Sequence, residues 1–203
     1  MLKNHMRFVP HYRIVSFPLQ FEDLCYDPTF TPGTAKKTLF CVDDPDAPTG
    51  PITGELVVRE TLRQLCLYKM TATPMPGHTG SLFSDAYWRY VEAFAERCSI
   101  QAHTSENGLP PFSDMCADAI IDELYRDAII DSRQMSRQDI QDCMEGQKGH
   151  EILSNELSSM AWSVHTIRIN GWRYAGMVEA DAVTKAVCEQ FADQPPACKI
   201  LLK

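Results

Sequence analysis

The stretch Val164-His165-Thr166-Ile167-Arg168-Ile169-Asn170-Gly171-Trp172-Arg173-Tyr174 decides the fold. Its first six residues alternate and are rich in β-branched side chains, the pattern of a strand. Asn170-Gly171 supplies two residues that tolerate positive φ, as a type I′ turn demands, so Trp172-Arg173-Tyr174 pairs back along the first strand. Gly176 breaks the pattern. A helix is expected to start near Asp181, whose carboxylate can accept from the first-turn N–H groups. It carries Val183, Val187, Cys188 and Phe191 at helical spacing until Pro195-Pro196 ends it.

Strand, tight turn, strand and helix form the closing half of an α/β, thioredoxin-like fold. The opening half should precede it, with a helical insertion between. Residues 7–17, with Phe8, Val9, Tyr12, Ile14 and Val15, read as the entry strand. Residues 18–54 show no helical period and are rich in proline, so they read as a long loop containing Cys25 and Cys41, of the kind that is functional, stapled or disordered. The first helix is expected over 54–70, capped by Thr53, with Leu56, Val57, Leu62, Leu65 and Cys66 on one apolar face. A second is expected from Ser84 to Cys98 with Tyr87, Trp88, Val91, Phe94 and Ala95 inward. Ser113 caps a third, carrying Cys116, Ile120, Ile121 and Leu124, and Ser136 caps a short fourth with Ile140, Cys143 and Met144. Residues 147–150 read as a turn and 151–160 as one more helical turn. The whole is a single domain over 1–203: entry strand and stapled loop at 1–54, helices including the insertion at 55–160, closing hairpin and helix at 161–198.

The 203 residues are 44% hydrophobic, enough for a sizeable core. A net charge of −8 argues against non-specific binding to nucleic acid or to an anionic membrane. No stretch is long and apolar enough to span a bilayer. The eight cysteines are even in number and scattered, without C-x-x-C or zinc-ligand spacing. That usage favours disulfides in an oxidising lumen. The first residues lack the apolar run of a signal peptide, so a lumenal chain of this kind would be a piece of a longer precursor or come from an incomplete gene model. Asp43-Asp44-Pro45-Asp46 carries carboxylates suited to a hard cation, but its Asp-Pro punctuation reads first as a turn.

Several blocks, in order, resemble one family. Phe8-Val9-Pro10-His11-Tyr12 is similar to its entry strand. Cys41 with Asp44-Pro45-Asp46, Thr53-Gly54, Val57-Val58 and Leu62-Arg63-Gln64-Leu65-Cys66 resembles its most recognisable run. Tyr90-Val91, Phe94 and Arg97-Cys98 are similar to its next helix, and Cys116-Ala117 and Cys143 sit where it has cysteines. Ile169-Asn170, Tyr174, Gly176, Ala182-Val183, Ala186, Cys188, Phe191, Pro196 and Cys198 resemble its closing segment. The chain thus resembles the central thioredoxin-like region of the plant-type vacuolar sorting receptors. The resemblance implies a lumenal module of the secretory and endosomal–vacuolar pathway, part of a membrane-anchored protein that binds and sorts cargo proteins or peptides. It implies no cofactor for this region; any Ca2+ belongs to the family's flanking modules. The family's proline before threonine at the hairpin start is replaced here by His165 before Thr166.

Redox chemistry in a thioredoxin fold needs a low-pKa cysteine at a helix N-terminus and a resolving thiol within reach. The loop before Gly54 offers Thr49-Gly50-Pro51-Ile52-Thr53, with no cysteine. The expectation is therefore a non-enzymatic domain. The competing readings are a protein disulfide oxidoreductase and a purely structural ectodomain spacer. The cysteines then act as staples. Cys188 with Cys198 could close the last helix and its bend, Cys116 with Cys143 could tie the third and fourth helices, and Cys25 with Cys41 could pin the long loop. Cys66 and Cys98 remain as the last pair. Eight cysteines allow on the order of a hundred pairings, so others stay open. Asp43, Asp44, Asp46 and Trp172 are the candidate cargo contacts, and His165 is the candidate pH-sensing group.

Overall fold

Thr53 Oγ1 accepts the Leu56 N–H at 3.3 Å, and from that cap helix α1 runs over Gly54–Thr71. The computed structural model describes residues 2, 5–17, 24–31, 39–47, 50–74, 82–100, 108–131, 133–159 and 166–201. Within α1 every residue from 60 to 68 is buried. A helix enclosed on all sides is a core helix, not an amphipathic one, and that changes the expected apolar face. Leu56 and Val57 are only partly buried, while Val58 is fully enclosed.

Around α1 stand α2 (Asp85–Arg97), α3 (Asp114–Arg126), α4 (Arg137–Met144) and α5 (Gly146–Ser158). Ser84 Oγ accepts the Tyr87 N–H at 2.9 Å and starts α2. Ser113 Oγ accepts the Cys116 N–H at 3.2 Å and starts α3. Ser136 and Asp139 form a reciprocal capping box at α4. On α2 the buried stripe is Ala86, Tyr87, Tyr90 and Phe94. Trp88 and Ala95 lie off that stripe and are exposed, contrary to expectation, because the helical turn carries positions 88 and 95 away from the face shared by 86, 87, 90 and 94. The core joins Val58, Leu62, Leu65 and Leu67 of α1 to Tyr90, Ile120, Ile121, Met144 and Leu153 of the surrounding helices.

The expected turn at 147–150 is helical. Glu145 alone separates α4 from α5, and Gly146 makes the bend at φ 63° while its N–H donates to Pro28 O at 2.8 Å. Glycine permits that left-handed step without strain. The long loop also holds structure: β1 (Cys25–Tyr26) pairs antiparallel with β2 (Phe40–Cys41), setting Cys25 opposite Cys41. The entry strand over 7–17 is reduced to two isolated bridges, Arg7 with Leu82 and Val15 with Cys41. Pro10, lacking an N–H, lies between them.

Gly54 lies where α1 begins against β1 and β2. A Cβ there would fall 2.7 Å from Leu24 O and 2.8 Å from Val42 O, both rigid backbone atoms. Gly54→Ala is therefore expected to destabilise by about 1–3 kcal/mol through overpacking, although alanine is the better helix former by about 1 kcal/mol. Thermal unfolding measures it, and a variant melting above the parent would refute the close approach.

The chain divides into two compact units. The larger, Pro10–Ala72 with Ser84–Met160, contains everything from β1 to α5. The smaller, Met1–Val9, Thr73–Phe83 and Ala161–Lys203, contains β3 (Arg168–Ile169), β4 (Trp172–Arg173), α6 (Ala180–Cys188) and α7 (Pro196–Leu201). Asn170 and Gly171 take φ of 51° and 83°, so the tight hairpin turn forms as expected. Helix α6 starts near Asp181 as expected but differs in its cap and in its end. Asp181 lies inside its first turn, the cap residue Glu179 makes no side-chain bond, and the helix stops at Cys188. Pro196 instead opens α7, the helical position that tolerates a missing N–H. Among the described residues the strands form two two-stranded sheets, and the architecture is mixed helix and strand with four disulfides.

Candidate functional site

All eight cysteines are bonded. Cys25 joins Cys41 across the first sheet, and Cys188 joins Cys198 between α6 and α7. The other two expected pairings, Cys116 with Cys143 and Cys66 with Cys98, are corrected. Cys66 joins Cys143 and Cys98 joins Cys116, each with Cα atoms 5.9 Å apart. The reason is packing. Helix α4 lies against α1, bringing Cys143 to Cys66, whereas α2 and α3 are neighbours, bringing the end of one beside the start of the other. Every half-cystine is at most 3% exposed.

Beside these bonds lies a buried polar network that sequence reasoning missed. Arg63 Nη1 donates to Glu60 Oε2 at 2.5 Å, with both side chains at most 4% exposed. Gln64 Nε2 and the Tyr90 hydroxyl both donate to Glu60 Oε1, at 3.0 and 2.9 Å. Arg63 also pairs with Asp114 at the start of α3, and Arg59 pairs with the same carboxylate at 3.0 Å. Tyr12 donates its hydroxyl to Gln64 Oε1 and lies 2.9 Å from the Tyr87 hydroxyl. Its backbone N–H donates to Glu156 Oε2 at 2.8 Å. Burial pushes the Glu60 carboxyl above the ordinary carboxylate range; Arg63 and the donated hydrogen bonds oppose that shift without cancelling it. Burial also disfavours the Arg63 cation, but the charges of Glu60, Tyr90 and Asp114 outweigh it, so its pKa lies above the ordinary guanidinium value. The spacing Glu60, Arg63, Gln64 is an i, i+3, i+4 set on one helical face, and that was the legible signal.

The acidic run folds as a turn. Asp43 pairs with Arg13 at 2.9 Å on the surface. Asp44 Oδ1 accepts the Asp46 N–H at 3.1 Å, and Asp46 Oδ2 accepts the Ile52 N–H at 3.2 Å. A Cβ on Gly50 would fall 2.0 Å from Asp46 Cγ, so the turn closes on this carboxylate only because that residue is glycine. Among the described residues no group of three His, Cys, Asp or Glu side chains could hold a metal ion. In the smaller unit Trp172 is 81% exposed. Tyr174, in contrast, closes over Gly176 and donates to Met177 O at 3.1 Å. His165 lies outside the described residues.

Four buried disulfides and a stapled helical body define a disulfide-bonded module of mixed helix and strand. Residues 1–188 match the family described as the vacuolar sorting receptor thioredoxin-like domain, and the chain belongs to that family. It is 27% identical over 176 residues to vacuolar-sorting receptor 3 of Arabidopsis thaliana, covering 80% of this chain and 24% of that receptor. It is 29% identical over 158 residues to vacuolar-sorting receptor 5 of Arabidopsis thaliana, covering 71% and 22%. It is 26% identical over 212 residues to vacuolar-sorting receptor 1 of Pisum sativum, covering 96% and 29%. The chain thus spans about a quarter of the length of these relatives. Among the described residues no helix is long and apolar enough to cross a membrane.

Proposed function

We infer that the chain is a non-catalytic, lumenal module of a vacuolar sorting receptor-like protein that supports the binding and sorting of cargo proteins. The observation that carries the reading is the burial of all eight sulfurs in disulfides, in a chain of this receptor family. Thiol exchange requires an accessible thiolate or an accessible, strained disulfide. The loop before α1 has neither: Ile52 is fully buried there and Thr53 occupies the cap where a redox cysteine would stand. Such bonding suits the oxidising secretory and endosomal–vacuolar lumen. The acidic turn of the larger unit and the hairpin of the smaller one are the surfaces offered to cargo.

Two measurements test this. The purified chain with a dithiol should not accelerate insulin reduction over the dithiol alone; clear turnover would establish the oxidoreductase reading instead. The immobilised chain should retain peptides bearing vacuolar sorting signals over scrambled versions. Equal or absent retention of both would leave a structural spacer.

A further inference from the structure

The hairpin register has a consequence for its backbone. Arg168 lies opposite Arg173 and Ile169 opposite Trp172. Tyr174 N–H donates to Ile167 O at 2.8 Å. Antiparallel ladders alternate between hydrogen-bonded and non-hydrogen-bonded pairs, so 167/174 and 169/172 carry the bonds and 168/173 does not. The N–H and C=O of Arg173 therefore point away from β3, along the outer edge of β4. Among the described residues β4 has no neighbour except β3.

The side chains around that edge are of two kinds. Trp172, 81% exposed, shares a face with Ile169. Arg173, also exposed, takes the opposite face, where its register partner Arg168 adds a second guanidinium. Among the described residues none of the ion pairs involves Arg173. Arg173 thus sets a cation outside the described ion pairs beside this edge, in a chain whose net charge is −8. Charge complementarity selects an anionic occupant. It also disfavours a second copy of the same edge, since antiparallel pairing of two β4 strands about Arg173 would oppose like charges.

We propose that the outer edge of β4 is a docking strand for an extended acidic peptide segment, which adds to the hairpin as a third strand. This rests on the reading of the chain as a binding module and names the chemistry of one of its surfaces. The added segment hydrogen-bonds the outward N–H and C=O of Arg173. Its alternate side chains fall on the two faces, an apolar one over the Trp172 ring and a carboxylate against Arg173. Guanidinium–carboxylate pairing there is charge-assisted and can be bidentate. The Trp172 ring supplies the apolar anchor with few rotamers to freeze.

The test uses the full chain and a fluorescein-labelled heptapeptide alternating glutamate with leucine, read by fluorescence anisotropy. The glutamate peptide should bind, and its lysine counterpart should bind at least about tenfold more weakly, the loss of one charge-assisted contact. Arg173→Glu and Trp172→Ser, both at exposed positions, should each weaken the glutamate peptide by a similar factor. Of two glutamate peptides N-methylated at alternate residues, one should lose binding and the other keep it, because only one set of amides faces the edge. Equal binding of the glutamate and lysine peptides, insensitivity to both substitutions, or equal behaviour of the two methylated peptides would each overturn the proposal. Should wild type and both variants retain sorting-signal peptides equally while the glutamate probe fails, the docking edge falls and the module reading stands. Should wild type retain no sorting-signal peptide while the glutamate probe behaves as expected, the edge stands and the sorting role falls.

Discussion

Arg63→Met should destabilise the larger unit by about 3–5 kcal/mol, the usual cost of removing one partner from a buried ion pair. Methionine keeps the length and much of the volume of the stem, so little of that loss comes from packing. What remains is the Glu60 carboxylate, enclosed and stripped of its cation, with only Gln64 and Tyr90 donating to it. The loss should depend on pH in a defined sense. The folded Glu60 carboxyl lies above its ordinary value because of burial. A raised carboxyl contributes stability below the unfolded pKa and loses it as pH rises through the folded one. Without Arg63 the folded value climbs further. The deficit of the variant relative to wild type should therefore be smallest in acid and grow towards neutrality. The double change Glu60→Gln with Arg63→Met should recover most of the loss, because a neutral replacement leaves no uncompensated charge. Urea midpoints at acidic and neutral pH measure all three proteins, and a deficit that does not change with pH would contradict the assignment.

The second large effect belongs to the Cys66–Cys143 bond. It spans 77 residues, against 16, 18 and 10 for the other three. In the loop-entropy description its removal costs about 4–5 kcal/mol, against roughly 3 kcal/mol for each shorter bridge. Cys66→Ala with Cys143→Ala should thus lower the denaturant midpoint more than the equivalent change at Cys98 and Cys116. It also unties α4 from α1, so the loss should be seen in α4 amides by hydrogen exchange as well as globally. Equal midpoints for the two double variants would show that local strain or residual structure, not chain constraint, sets the cost.

What the sequence revealed divides by range. Thr53, Ser84, Ser113 and Ser136 were legible as caps because a cap is settled within a few residues. The Asn170-Gly171 turn was legible for the same reason, and so were the buried stripes of α3 and α4. The partners of Cys66 and Cys98 were not, since they depend on which helices become neighbours in space. Residues 7–17 read as a strand from their side chains, yet a strand needs a continuous partner and they find only two bridges. The polar network was hidden by a sound habit: Glu60, Arg63 and Gln64 in a helix ordinarily mark its wet face, and here α1 has none over that span. Of the surface candidates, the alternation around Trp172 was visible, but not that the backbone beside it would face outward.

The distribution of the cysteines between the two units bears on biogenesis. Six of them, and all three bonds they make, lie before Met160 in the larger unit. Cys188 and Cys198 pair with each other in the smaller unit and follow the other six in sequence. With synthesis running N-terminus first, the six thiols of the larger unit can sort among about fifteen arrangements before the other two appear, instead of the hundred or so open to all eight together. Cys188 and Cys198 then meet with none of those six thiols left to capture them.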